Sequence, residues 1–86
     1  MSRSHPARQA LRTCKVVLHR GTAWDLLAVL RIILQLTRLG RAEATQKLWL
    51  AHRLGRSVLL AAHPERAELY VQLFAARGLT VALEPT

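Results

Sequence analysis

The sequence predicts an α+β fold, a two-layer sandwich of order β-α-α-β-α-β in which helices pack on one face of a three-stranded sheet. Three short apolar segments have the character of strands, and the stretches between them carry apolar residues at helical spacing. Hydrophobic residues make up 51% of the 86 residues, which is more than a disordered chain contains. At this length we expect one domain with one core.

The N-terminal residues differ from the rest of the chain. Residues 1–13 contain Ser, His, Pro and Arg with little periodicity, so we expect a mobile basic tail there. The predicted domain then spans residues 14–86.

The first strand and the first helix form the central segment of the predicted domain. Residues 15–18 (Lys-Val-Val-Leu) are mostly apolar, contain two β-branched valines and are bounded by Gly21, which favours a strand in the middle of the sheet. Thr22 is predicted to cap a helix that starts near Ala23 and that Gly40 ends. The polar stripe of this helix is narrow, so we expect the helix to be covered on most sides, either by its own domain or by a partner. Its apolar positions are Leu26, Val29, Leu30, Ile33 and Leu36.

The second helix is predicted over residues 41–54, with Gly55 as its stop signal. Its buried stripe is expected to consist of Ala44, Leu48 and Ala51. Residues 57–61 (Ser-Val-Leu-Leu-Ala) then predict the second strand.

A proline and a glycine delimit the third helix. Pro64 suits the first helical position, and Gly78 ends the helix. Its apolar face is predicted to contain Ala67, either Tyr70 or Val71, and Phe74. Residues 79–83 alternate in polarity and predict the third strand.

The net charge limits the kinds of partner. Thirteen Lys and Arg residues against five Asp and Glu give +8, which favours nucleic acid, anionic lipid or acidic protein surfaces, although a basic surface without such a role remains the alternative. A single cysteine excludes an internal disulfide. No apolar stretch is long enough for a membrane span or a signal-peptide core, so we expect a cytoplasmic protein without a membrane partner.

Catalytic motifs are absent from the sequence. The five acids are scattered, no serine lies in a nucleophile turn, and the histidines lack the spacing of metal ligands. We therefore expect neither an enzyme nor a cofactor.

His52 and Trp49 leave two interpretations open. His52 lies on a mostly apolar helix face, where a histidine serves either in packing or in binding a ligand. Trp49 lies one turn before Arg53 and is either a core residue or an exposed ring that stacks on a partner.

Several segments together resemble the ClpS-type adaptor of the bacterial Clp protease. The resemblance covers residues 14–86 and runs without a gap from Lys15 to Val58. The segments that carry it are Cys14–His19, Ala44–Gln46, Ala51–His52, Gly55 and Leu79–Glu84.

This resemblance implies a fold similar to the C-terminal domain of the bacterial ribosomal stalk protein, and a non-catalytic function. Such adaptors bind N-degron substrates, proteins with a bulky apolar N-terminal residue, and deliver them to the N-terminal domain of the Clp ATPase. The histidine that helps to hold the substrate's α-amino group matches His52. The apolar pocket walls match Leu26, Leu48, Ala51 and Leu79.

The chain departs from the family directly after the first strand. Where the family usually carries Asn-Asp-Asp, this sequence has Arg20, Gly21 and Thr22. An ammonium group needs acceptors and negative charge; Arg20 supplies neither, and Thr22 supplies one acceptor. The third helix and the preceding loop are also shorter than in the family, so no ATPase-docking residue is assigned.

Two hypotheses follow from the sequence. The first is a divergent adaptor that binds a protein terminus between the first strand and the first helix, next to His52. The alternative is a basic module of the same fold that binds nucleic acid or an acidic protein. The residues that would serve the second hypothesis are Arg12, Arg20, Arg53 and Arg56.

Overall fold

The computed structural model describes residues 12–86, and its elements follow the predicted order. The strands are β1 (Cys14–His19), β2 (Arg56–Ala62) and β3 (Thr80–Pro85), and the helices are α1 (Leu26–Leu36), α2 (Arg41–Leu54) and α3 (Pro64–Ala76). The predicted α+β fold class is confirmed. The predicted tail, residues 1–13, lies outside the described residues except for its last two positions.

The strands form one antiparallel sheet of order β2-β1-β3, so the first strand is the central one, as predicted. Val17 pairs with Val58 on one side and with Ala82 on the other. The pairing of β1 with β2 contains an irregularity between Val16 and Val17, and the pairing with β3 is regular. Because β1 is bonded on both edges, the chain that leaves it starts from a rigid base.

The core lies between the sheet and the helices. Val16 and Leu18 of β1 are fully buried against it. The predicted stripe of α2 is buried throughout, and on α3 the buried aromatic pair is Tyr70 and Phe74, so Tyr70 rather than Val71 completes that face. The buried helical residues are Val29, Ile33, Ala44, Leu48, Ala51, Ala67, Tyr70 and Phe74.

The start of α1 differs from the prediction. The Asp25 carboxylate accepts hydrogen bonds from the backbone N–H groups of Leu27 and Ala28, each at 3.2 Å, and α1 begins at Leu26. The prediction that Thr22 caps this helix is therefore wrong. Ala23 has a φ of 53°, a left-handed conformation that is incompatible with the first turn of a helix and delays its start.

The end of α1 is also earlier than predicted. Thr37 has an extended backbone, and its hydroxyl donates a hydrogen bond of 2.7 Å to the Ile33 carbonyl. Gly40, predicted to end this helix, is instead the residue before α2. A short connection, residues 37–40, therefore joins α1 to α2, and the two helices pack against each other.

Gly55 ends α2 in a left-handed conformation, with φ of 93° and a 2.9 Å hydrogen bond from its N–H to the Ala51 carbonyl. A Cβ there would meet no atom within 4 Å, so backbone conformation alone requires glycine.

We expect Gly55→Ala to lower the free energy of unfolding by roughly 1–2 kcal/mol. Gly55→Asn should lower it less, because asparagine tolerates this region better. Urea denaturation measures both, and equal stability of the three proteins would contradict the expectation.

Within residues 12–86, no helix has the length and the apolar character that crossing a bilayer requires.

Candidate functional site

The connection between β1 and α1 is bonded to the C-terminal end of α2. The Arg20 backbone N–H donates to the Gly55 carbonyl at 2.9 Å, and Arg20 Nη1 donates to the His52 carbonyl at 2.8 Å. The last four carbonyls of a helix have no partner within the helix, and a cation is favourable at that end. Arg20 therefore caps α2, and its guanidinium is held beside His52.

A close contact with an indole shapes the rest of this connection. A Cβ on Gly21 would lie 2.8 Å from Trp24 Nε1, closer than side-chain carbons approach other atoms. Glycine at this position therefore lets the Trp24 ring lie against the loop. Thr22 follows in an exposed turn.

An apolar cavity of about 160 Å³ lies between α1 and α2. Leu48, which is 5% exposed, belongs to the core, whereas Leu27 and Trp49 are 65% and 51% exposed. The cavity thus offers an apolar surface that is open to solvent, with a buried leucine at its base. Its lining residues are Leu26, Leu27, Leu30, Thr45, Leu48 and Trp49.

His52 follows this cavity on α2, one turn after Leu48. Its ring packs edge-on against the Trp49 ring, with centroids 5.6 Å apart and an interplanar angle of 73°. His52 Nδ1 is buried and has no hydrogen-bond partner within residues 12–86. A buried unpaired polar atom costs about 1–3 kcal/mol, so a ligand that bonds to Nδ1 would recover that free energy.

Among residues 12–86, no acidic side chain forms an ion pair with Arg20 or His52. Asp25 is occupied at the start of α1, Glu43 pairs with Lys47, and Glu84 pairs with Arg56. The remaining acids, Glu65 and Glu68, both belong to α3. Across residues 12–86, none of the ion pairs involves Arg20.

The predicted site residues are only partly brought together. Leu26 and Leu48 line the cavity, and Arg20 and His52 are joined by a hydrogen bond. Gly21 and Thr22 lie in the adjoining connection. Ala51 and Leu79 are buried in the core, 0% and 6% exposed, and do not line the cavity.

Four lining residues were not predicted as site residues. On α2, Thr45 and Trp49 precede Leu48 and His52 by three residues, the spacing that places side chains on one face of a helix. On α1, Leu27 and Leu30 have the same spacing. The sequence therefore contained the helical spacing that groups these residues on one face. The same spacing is also typical of a face buried in the core, so it did not indicate a site.

A second cavity, of about 510 Å³, lies elsewhere, between the start of α3 and the end of β2. It contains none of the predicted site residues. Its lining residues are Arg38, Leu39, Leu60, Ala61, Ala62, His63, Arg66 and Tyr70. Among the residues that the structure describes, no three His, Cys, Asp or Glu side chains are grouped to hold a metal ion.

No protein-family model matches the sequence, and no curated protein is significantly similar to it. The structure is similar to that of ClpS2 from Agrobacterium tumefaciens bound to L-phenylalaninamide, with a TM-score of 0.77. The match covers 87% of this chain and 98% of that chain, at 21% sequence identity. The predicted resemblance is thus supported at the level of three-dimensional structure, and this chain has the fold of a ClpS-type adaptor.

Proposed function

We propose that the protein is an adaptor that binds the N-terminal residue of protein substrates and delivers them to the N-terminal domain of a Clp ATPase. The terminal side chain would enter the cavity between α1 and α2, and the terminal main-chain group would lie between Arg20 and His52. The protein would perform no reaction itself.

The observation that carries the proposal is the position of the apolar cavity next to His52. An apolar pocket beside a few fixed polar groups is the usual form of a small-ligand site. Leu26, Leu48 and Trp49 offer contacts to a bulky apolar side chain. The hydrogen bond from Arg20 to the His52 carbonyl holds the guanidinium against the main chain of the residue that carries the imidazole.

The ligand of the similar structure supports this assignment. L-Phenylalaninamide, which is bound to ClpS2 from Agrobacterium tumefaciens, combines an apolar aromatic side chain with the main-chain groups of a single residue. The cavity and the Arg20–His52 pair provide one place for each of these parts. The proposed substrates therefore begin with Leu, Phe, Trp or Tyr.

Fluorescence anisotropy with labelled peptides tests the proposal. The peptides begin with Leu, Phe, Trp, Tyr or, as the polar comparison, Ser, and each is used with a free and with a blocked amino group. We expect binding to depend on a bulky apolar first residue. His52→Ala should weaken it about tenfold, because it removes one polar partner. The same variant should also slow the degradation, by a Clp protease, of a reporter protein that begins with a bulky apolar residue.

Arg53→Ala is the matched control, because Arg53 is exposed and adjacent on the same helix. It should leave peptide affinity within about twofold, since surface substitutions have small effects. Absence of binding at high micromolar concentration for every peptide would remove the proposal. A steep fall of oligonucleotide binding with salt, without peptide binding, would favour the basic-module alternative.

A further inference from the structure

We propose that the second cavity, at the start of α3, binds a small phosphate monoester whose organic part is aromatic. This inference goes beyond the adaptor function, because the second cavity shares no lining residue with the cavity between α1 and α2. The juxtaposition that carries it is two arginines and an unbonded tyrosine hydroxyl that line one recess together with apolar side chains.

The size of the second cavity fits a small molecule. Its volume of about 510 Å³ lies within the range of roughly 300–1,000 Å³ that small-molecule pockets occupy. Three separate parts of the chain form its walls: the connection between α1 and α2, the end of β2 and the start of α3. A ligand in this cavity would therefore contact all three.

The walls of the second cavity carry unpaired positive charge. Arg38 and Arg66 both line it, and no acidic residue does. Within residues 12–86, both ion pairs involve other cations, and neither guanidinium donates a hydrogen bond. The start of α3 adds the end of a helix dipole that favours negative charge. These groups together favour an anionic ligand.

The structure positions both arginines at the cavity. Arg38 follows Thr37, which is buried, and precedes Leu39, whose backbone N–H donates to the Thr37 hydroxyl at 3.2 Å. The guanidinium carbon of Arg66 lies 5.7 Å from the centroid of the Tyr70 ring, a cation–π contact. Because this contact already restricts the Arg66 side chain, less conformational freedom is lost when an anion binds.

Tyr70 supplies a third donor. The residue is 7% exposed and its ring packs against Phe74 in the core, yet it also lines the second cavity. Its hydroxyl is not itself buried, and it has no hydrogen-bond partner within residues 12–86. The hydroxyl of a tyrosine this deeply buried usually has a partner. A ligand oxygen in the cavity would provide it.

Three donors and two positive charges favour a phosphate monoester over a carboxylate. The monoester presents three terminal oxygens and a charge of about −1.5 to −2 at pH 7, so it can accept from both arginines and from the tyrosine. A carboxylate has two oxygens and one charge. The rest of the wall is apolar and would contact an aromatic ring. Its residues are Leu39, Leu60, Ala61 and Ala62.

Isothermal titration calorimetry of the full chain at pH 8, where the monoester is a dianion, tests the inference. Phenyl phosphate combines both parts of the proposed ligand. Phenyl sulfate has the same shape with a single negative charge, and inorganic phosphate lacks the ring. We expect phenyl phosphate to bind roughly tenfold or more tightly than either, because each lacks one kind of contact. The tighter of adenosine monophosphate and free phosphotyrosine identifies whether the ring is a nucleobase or a phenyl group.

Three variants assign the binding to this cavity. Arg38→Gln and Arg66→Gln should each weaken phenyl phosphate binding about tenfold, the effect of one charge-assisted hydrogen bond. Tyr70→Phe keeps the ring in the core and should weaken binding roughly two- to tenfold, since it removes only the hydroxyl. Circular dichroism establishes that the variants are folded.

Arg53→Gln is the matched control. It changes the net charge by the same amount at an exposed position that does not line the second cavity. Phenyl phosphate affinity should stay within about twofold of that of the unaltered protein, since surface substitutions away from a site have small effects.

Several outcomes would overturn the inference. No heat of binding for phenyl phosphate at millimolar concentration would remove the site, and equal weakening by all three arginine variants would show a net-charge effect only. Phenyl sulfate binding as tightly as phenyl phosphate would exclude a site for a dianion. A glutamate-rich peptide that binds more tightly, with the same dependence on Arg38 and Arg66, would favour an acidic protein instead. The adaptor function stands or falls separately, on the peptides that bind between α1 and α2.

Discussion

Replacing Thr45 with tryptophan is expected to weaken peptide binding strongly, because the larger side chain fills the cavity between α1 and α2. Thr45 lines this cavity and is partly exposed, so the indole can enter it without opening the core. The bound terminal side chain would lose a burial worth about 1.5–3 kcal/mol. Affinity should therefore fall roughly 10- to 150-fold in the anisotropy measurement.

Gln46→Trp is the matched control for this substitution. Gln46 is the next residue on α2, is exposed and does not line the cavity. The Gln46→Trp substitution introduces the same side chain on the same helix. It should leave both peptide affinity and thermal stability close to those of the unaltered protein. Unchanged binding by Thr45→Trp would show that the terminal side chain lies elsewhere.

Replacing Phe74 with alanine should have the largest effect on folding. Phe74 is 0% exposed and packs against Tyr70 within the core, with ring centroids 6.4 Å apart. Phenylalanine-to-alanine substitutions in cores cost about 3–5 kcal/mol. An 86-residue domain has a total stability of roughly 4–13 kcal/mol, so this loss removes much or all of it. Thermal and urea denaturation monitored by circular dichroism measure the change.

Leu69→Ala provides the comparison on the same helix. Leu69 is 46% exposed, and alanine retains helix propensity, so we expect a loss of about 0.5 kcal/mol. Similar losses for the two variants would mean that Phe74 does not anchor α3 on the sheet. The comparison also separates packing from any general effect of shortening a side chain on α3.

The order of elements was predictable because each element carries its own periodicity. Strand β1 has a short β-branched run, and the predicted stripe of α2, from Ala44 to Ala51, is buried as a unit. Local pattern and tertiary packing agree in these segments, so the sequence alone was sufficient to predict the elements and their buried faces. The choice between Tyr70 and Val71 required the structure, because both lie close to the buried face of α3.

The limits of α1 were not predictable in the same way. Thr22 and Asp25 are both acceptable helix caps by residue type, and the left-handed backbone of Ala23 decides between them. Gly40 is equally suited to the end of one helix and the start of the next. Such choices depend on the path of a short connection between packed elements, which local propensity does not describe.

The sequence by itself determined the fold class, the central position of β1, and the presence of Arg20 where the adaptor family usually carries an amine-binding motif. Only the tertiary structure decided what Arg20 contacts and which apolar residues are accessible. Arg20 and His52 are 32 positions apart, and their hydrogen bond exists because the C-terminal end of α2 packs beside the end of β1. Periodicity reports which side of an element is apolar, whereas exposure of Leu27 and Trp49 depends on what packs against that side.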